Sequence, residues 1–167
     1  MLHDGASKSS RIERMSGYAS LVIDRYNVKQ GDTFLVSSSS GINSFPIEMA
    51  EEAKKRGAMV IGITSSNYFN DPSRDREGRH LYDLCDLYID NHVPHGDAVI
   101  PVDGEVKAGP VSSIIGFYIV NSMMLAACEE LNKRGIKPPI FKSGNVSGGD
   151  TYNVEMVERY LPRIRHL

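Results

Sequence analysis

The chain has 167 residues, enough for one domain with a substantial core and too few for two comfortable ones. Apolar residues make up 41% and charged residues 24%, and the formal net charge is -2, so no nucleic-acid and no membrane partner is expected. Cys85 and Cys128 are too few for a disulfide framework and lack metal or redox spacing, which fits a reducing, cytoplasmic setting with both thiols as small buried hydrophobes.

Residues 1–10, MLHDGASKSS, read as polar loop, with no basic segment leading into an apolar one as a signal peptide would have. A helix is predicted over residues 11–26, where Ile12, Met15, Ala19, Val22 and Ile23 form an approximate 3–4 stripe. Gln30-Gly31-Asp32 is a turn, and TFLVS is a short buried strand. IEMAEEAKKRG is a strong helix: Pro46 sits near its first turn, acids precede bases, and Gly57 ends it. AMVIGIT has the continuously apolar character of a strand in a parallel sheet. SSNYFNDPSRDREGRH is loop, followed by a short helix near HLYDLC and a third strand at DLYID. DAVIPV reads as a fourth strand.

Residues 111–128, VSSIIGFYIVNSMMLAAC, carry no charge and reach the lower edge of membrane-spanning length. Their serines, Gly116 and Asn121, and the charged run EELNKRG that continues the pattern, favour a central helix buried on most sides or packed against a second subunit. Pro110 opens this helix and Gly135 ends it; PPIFKSGNVSGGD is irregular, and a last helix lies around TYNVEMVERYL. Apolar strands alternating with helices predict an α/β architecture with a parallel sheet and right-handed crossovers.

The stretch FLVSSSSGINSFP places small hydroxyls where a strand gives way to a helix. In an open α/β sheet, ligands collect beyond the carboxyl ends of strands. The early amides of a helix lack intrahelical partners, so hydroxyls and amides together suit a compact phosphate monoester. Gly41 permits a tight turn there. Neither a Walker lysine nor a GxGxxG follows, which excludes those nucleotide loops. An ordinary helix cap by Asn43 or Ser44 explains the same composition.

The ordered set GDTFLVSSSSGIN, EMAEEAKKRGAMVIGITSS and HLYDLCDLYIDN, spanning residues 31–91, resembles the sugar isomerase (SIS) domain family. IDNHVPHGDAVIPVDG and GPVSSIIGFYIVNSMM resemble, more narrowly, a bacterial group of phosphosugar isomerase-like proteins. The resemblance implies an α/β three-layer sandwich with a parallel sheet, forming a single, partial SIS-like domain over residues 1–167. It implies a phosphorylated sugar as ligand, no cofactor, and a homodimer or higher homo-oligomer. Phosphate binding falls to Ser38, Ser39, Ser40 and Gly41, and to Asn43 where the family pattern has threonine; Thr64 and Ser65 fall beside the sugar site. Proteins of this kind usually begin with a helix and a strand ending in a second glycine/serine loop. The pattern here is entered after that portion, so a truncation with an incomplete phosphate grip is expected, the alternative being a TFLVS edge covered by a partner subunit or by the N-terminal segment.

Aldose–ketose isomerisation needs a base near the sugar C1–C2 unit and an acid, tasks suited to a carboxylate and a histidine. Glu48 lies nearest the serine loop, ahead of Glu51 and Glu52; His92 and His95 emerge after a strand with Asp90 and Asp97 beside them. These histidines suit acid/base chemistry or sugar contacts, a metal, or simple loop stabilisation, and no metal site is assigned. His80 opens the short helix, while His3 and His166 have no motif around them. Arg74, Arg76 and Arg79 suit closure over a phosphate or a solvated loop, and residues 143–149 with Lys142 suit a second anion nest or plain loop flexibility. The long apolar helix lacks the late histidine some family isomerases use. The leading expectation is therefore a phosphosugar-binding protein of aldose–ketose isomerase type, and the alternative a non-catalytic sugar-phosphate sensor or regulatory domain.

Overall fold

The computed structural model of the chain describes residues 5–164, so His3 and His166 lie outside the described residues. The chain divides between Tyr118 and Ile119 into two compact units.

In the first unit the predicted N-terminal helix is two helices. α1 (Ala6–Glu13) begins inside the stretch expected to be loop, and α2 (Tyr18–Ile23) follows a break. The break falls at Gly17, whose φ of 82° lies in the left-handed region that glycine enters without a Cβ clash. The Glu48 carboxylate accepts the Gly17 amide hydrogen at 2.7 and 2.9 Å and so fastens the start of α2.

The next elements follow the sequence pattern: β1 (Thr33–Ser37), α3 (Ser44–Lys55), β2 (Met59–Thr64), α4 (Leu81–Leu84) and β3 (Leu87–Asp90). The three strands form a parallel sheet in the order β1-β2-β3, with Leu35 opposite Ile61 and Ile61 opposite Leu87. Pro46 lies in the first turn of α3, where a missing N–H costs no helical bond. Ile47, Ala50 and Ala53 recur along one stripe of α3 and are fully buried with Val60, Ile23 and Leu81, beside the buried Val36. Each fully buried branched aliphatic here contributes about 1.5–3 kcal/mol. Cys85 packs at the margin of this cluster and is half-buried; burial pushes its thiol up to about 11, outweighing Lys54.

The opposite sheet face carries Leu35, Ser37, Ile61 and Ile63. At the start of α5 (Ser112–Lys133), a Cβ added to Gly116 would lie 4.0 Å from the Ser37 hydroxyl. Helices α3 and α4 thus pack on a parallel three-stranded sheet, the α/β arrangement the sequence predicts.

Two expectations are corrected. DAVIPV does not extend the parallel sheet. As β4 (Ala98–Asp103) it pairs antiparallel with β5 (Val106–Pro110) in a separate hairpin turning at Gly104-Glu105. The dipeptide Asp103-Gly104 is the local signal that reveals this turn. The long apolar helix is also not buried within its own chain: Ile114, Met124 and Leu125 are 70, 52 and 66% exposed. By length and composition α5 is apolar enough to cross a membrane.

The second unit holds the rest of α5 and α6 (Gly149–Tyr160). Between them the Asn153 side chain clamps Lys142, donating to its carbonyl at 2.8 Å and accepting from its amide at 2.9 Å. Lys137 and Lys142 both stand 4.6 Å from the centre of the Tyr152 ring, which engages the cation considered for a second anion nest.

Candidate functional site

The serine stretch forms a turn that crosses the carboxyl end of the sheet from β1 to α3. The Ser38 amide donates to Ile63 O at 2.9 Å, prolonging the β1–β2 ladder by one step. Ser39 O then accepts from the Ser65 amide at 2.9 Å and the Thr64 hydroxyl at 3.4 Å. Gly41 follows at φ 62°, and its carbonyl accepts from the Leu81 amide at 2.8 Å. A Cβ on Gly41 would lie 2.7 Å from Thr64 Oγ1, so only glycine passes between the turn and β2.

Hydrogen bookkeeping divides the hydroxyls into two groups. A carbonyl can only accept, so Thr64 spends its hydrogen on Ser39 O, Ser65 on Val93 O at 2.7 Å, and Ser44 on Arg74 O at 2.7 Å. Ser38 and Ser39 are instead on the receiving side. Ser38 Oγ accepts from the Gly41 amide at 3.3 Å, and Ser39 Oγ accepts from Asn91 Nδ2 at 3.1 Å. Their own hydrogens are left to donate outward, and Ser40 stands beside them, partly exposed. Among the described residues the amides of Ser39, Ser40, Ile42 and Asn43 meet no protein acceptor. The turn thus gathers donors without a protein acceptor at the positive end of α3.

The remaining predicted residues have definite places. Asn43, 7% exposed, is fully engaged: it donates to Glu13 Oε1 at 2.7 Å and accepts from Arg74 Nη1 at 2.7 Å. Its side chain therefore ties Arg74 and Glu13 to the start of α3. Thr64 and Ser65 are completely buried, with their hydroxyls committed as above. An apolar groove of about 290 Å³ runs beside Ser37 and Ser38, lined by Phe34, Leu35, Phe45 and Met49, with Glu13 at its margin.

Glu48, His92 and His95 have separate partners. Glu48 holds Gly17. His92, at φ 51°, sets its Nδ1 3.2 Å from Asp90 Oδ2. Burial raises the Asp90 carboxyl, but the Ser66 hydroxyl and the amides of His92 and Ser66 outweigh it and leave Asp90 below the usual carboxylate range. His95 places Nε2 2.5 Å from Asn67 O and lies tilted against Tyr68 with ring centroids 4.3 Å apart. Asp97 is no acid/base partner of these histidines. It caps α5, accepting from the Val111 amide at 2.9 Å and from the Ser112 amide and hydroxyl at 2.6 Å each. His80 opens α4 as predicted.

The other acids of α3 are also occupied. Hydrogen bonds from Lys55 and Arg79 hold Glu51 below its ordinary value against burial, and Arg56 and Lys55 do the same for Glu52. Arg79 lies between Asp75, Glu51 and Glu77, so it stiffens its own loop and does not reach the serine turn. Asn91 and the Glu13–Asn43–Arg74 link were not foreseen; no local motif marks either.

The SIS domain matches residues 1–65, which take in the serine turn, α3 and β2 through Ser65. A UPF0309 protein of Halalkalibacterium halodurans is 42% identical over 166 residues, covering 98% of this chain and 66% of the relative. One from Caldanaerobacter subterraneus subsp. tengcongensis is 37% identical over 171 residues, covering 100% of the chain and 70% of the relative. One from Brucella anthropi is 40% identical over 168 residues, covering 100% and 68%. The chain spans about two thirds of the length of the relatives it matches.

Proposed function

The chain belongs to the SIS-domain family, alongside the UPF0309 proteins, and on that premise we propose that it binds a phosphorylated sugar whose phosphate is held by the turn from Ser38 to Gly41. The SIS domain itself suggests sugar-phosphate binding. The observation that carries the proposal is the direction of the hydroxyls: Ser38 and Ser39 accept from the protein and so donate away from it, next to amides with no protein acceptor. Thr64 and Ser65 act from behind by fixing the Ser39 carbonyl, and Arg74 stands at the start of α3 through Asn43.

Binding is the better reading than aldose–ketose turnover. Isomerisation needs base and acid at one C1–C2 unit, whereas Glu48, His92 and His95 serve Gly17, Asp90 and Asn67. A non-catalytic binding or sensing role asks nothing of those three side chains.

Sugar phosphates, and not the corresponding free sugars, are expected to raise Tm. At ligand about a hundredfold above Kd the rise is roughly 5–10 °C for a chain of this size. Replacing Ser38 and Ser40 with alanine abolishes it. No shift across a panel of aldose and ketose phosphates would overturn the phosphate site, and aldose–ketose interconversion would restore the isomerase reading.

A homodimer is part of the same proposal, supported by the exposed apolar side chains of α5 and of the hairpin, among them Ile100, Val102, Val106 and Ile114. Sedimentation at micromolar concentration is expected to give twice the chain mass, and Ile114→Glu to return the monomer. Monomer mass for the unaltered chain rejects the dimer.

A further inference from the structure

The Asn91 side chain crosses from the end of β3 to the serine turn, a link between residues 52 apart in sequence. Its backbone amide donates to Thr64 O at 2.9 Å, which prolongs the β2–β3 ladder and leaves the residue 5% exposed beneath the turn. Asn91 Oδ1 accepts from the Val93 amide at 3.1 Å. An amide N–H can only donate, so this bond fixes which end of the Asn91 amide faces which neighbour. Nδ2 must then point at Ser39 Oγ, and Ser39 must receive. A serine that receives from Nδ2 keeps its hydrogen for another acceptor, and no acceptor for it lies among the described residues.

We infer that Asn91 is a positioning residue that turns the Ser39 hydroxyl into an outward donor for the oxygen of a bound phosphate ester. The inference rests on the phosphate reading of the serine turn and adds to it the residue that sets the polarity of one donor. A buried carboxylate in place of the amide would accept from Ser39, rotate its hydrogen inward, and repel an anion from below. The chemistry recognised is a tetrahedral oxyanion on an ester, with Ser39 as one donor among several.

Titration calorimetry with inorganic phosphate tests it on the whole chain, using wild type and Asn91→Asp across a pH series. At pH 7.5 the variant is expected to bind roughly tenfold more weakly or worse, the scale of one lost hydrogen bond to a charged group. As pH falls, the introduced carboxyl takes a proton, can donate to Ser39 again, and the affinity ratio to wild type returns toward unity. Taking that ratio at each pH cancels the titration of the phosphate itself. Wild type that fails to bind phosphate overturns the phosphate site and this inference together. A folded variant that binds like wild type at pH 7.5, or a loss that acid does not recover, overturns the role of Asn91 alone. If the variant does not fold, the wild-type Asn91 side-chain amide signals decide by NMR. They are expected to shift on adding phosphate and to stay fixed in Ser39→Ala; signals that ignore phosphate in wild type reject the inference.

Discussion

Gly41→Ala is expected to lower Tm by roughly 5–10 °C and to remove the response to sugar phosphates. Two costs add at this position. The φ of 62° is left-handed, which charges any side-chain-bearing residue about 1–2 kcal/mol. The new methyl would also stand 2.7 Å from Thr64 Oγ1 and 3.3 Å from Leu81 Cβ, both on completely buried residues. Overpacking of that kind adds about 1–3 kcal/mol. Relief requires Thr64 to leave the Ser39 carbonyl or the turn to lift away from Leu81, and either displaces the hydroxyls of Ser38 and Ser39. Thermal melts with and without ligand measure both effects. Thr64→Ala added to Gly41→Ala should recover part of the stability, because the clash is one of two coupled terms. A Gly41→Ala chain that melts and responds like wild type would show that the turn is not held in this way.

The same turn shows what a sequence discloses. Ser38 to Gly41 is legible because its chemistry is local: small hydroxyls and a glycine stand between an apolar strand and an amphipathic helix. α3 and β2 are legible through periodicity, since α3 buries one stripe and β2 one continuous run. Long-range polar links leave no such trace. Asn91 reaches Ser39 across 52 residues, Asp97 reaches Val111 and Ser112 across 14 and 15, and Glu13 and Arg74 meet at Asn43 from 30 and 31 residues away. Asp97, read as a partner of the histidines because it lies near them in sequence, is a helix cap because the pairing of Ala98 with Pro110 brings it beside the start of α5. Burial is equally hidden: Thr64 and Ser65 end an apolar strand as predicted, but only the fold shows that Ser39 and Val93 close over their hydroxyls. The helix read over residues 11–26 failed at Gly17, where a stripe of apolar spacing continues through a residue that breaks the backbone path.

Arg79→Met should be the most damaging change away from the turn. Arg79 Nε donates to Asp75 Oδ2 at 2.9 Å, and the Asp75 side chain is only 2% exposed. Burial drives the Asp75 carboxyl upward, but the Arg79 guanidinium and the amides of Glu77 and Arg79 outweigh burial and hold it below its ordinary 3.8. Removing the cation strands that carboxylate, a loss of about 3–5 kcal/mol and roughly 10 °C in Tm. The pH dependence should invert with it. In wild type the folded-state value is depressed, so the Asp75 contribution is complete above the unfolded value of 3.8 and disappears as pH falls through the folded one. Without Arg79, burial alone acts, the folded-state value rises above the unfolded one, and protonation relieves the variant. Its deficit relative to wild type therefore shrinks as pH is lowered from neutrality, measured by urea unfolding at a series of pH values. Asp75→Asn added to Arg79→Met should remove most of that pH dependence. The loop that Asp75 and Arg79 brace delivers Arg74 to Asn43 and Leu81 to the Gly41 carbonyl, so the single variant should also weaken phosphate binding without touching a hydroxyl of the turn. A deficit that stays constant across pH would show that Arg79 supports the fold through packing and not through the Asp75 charge.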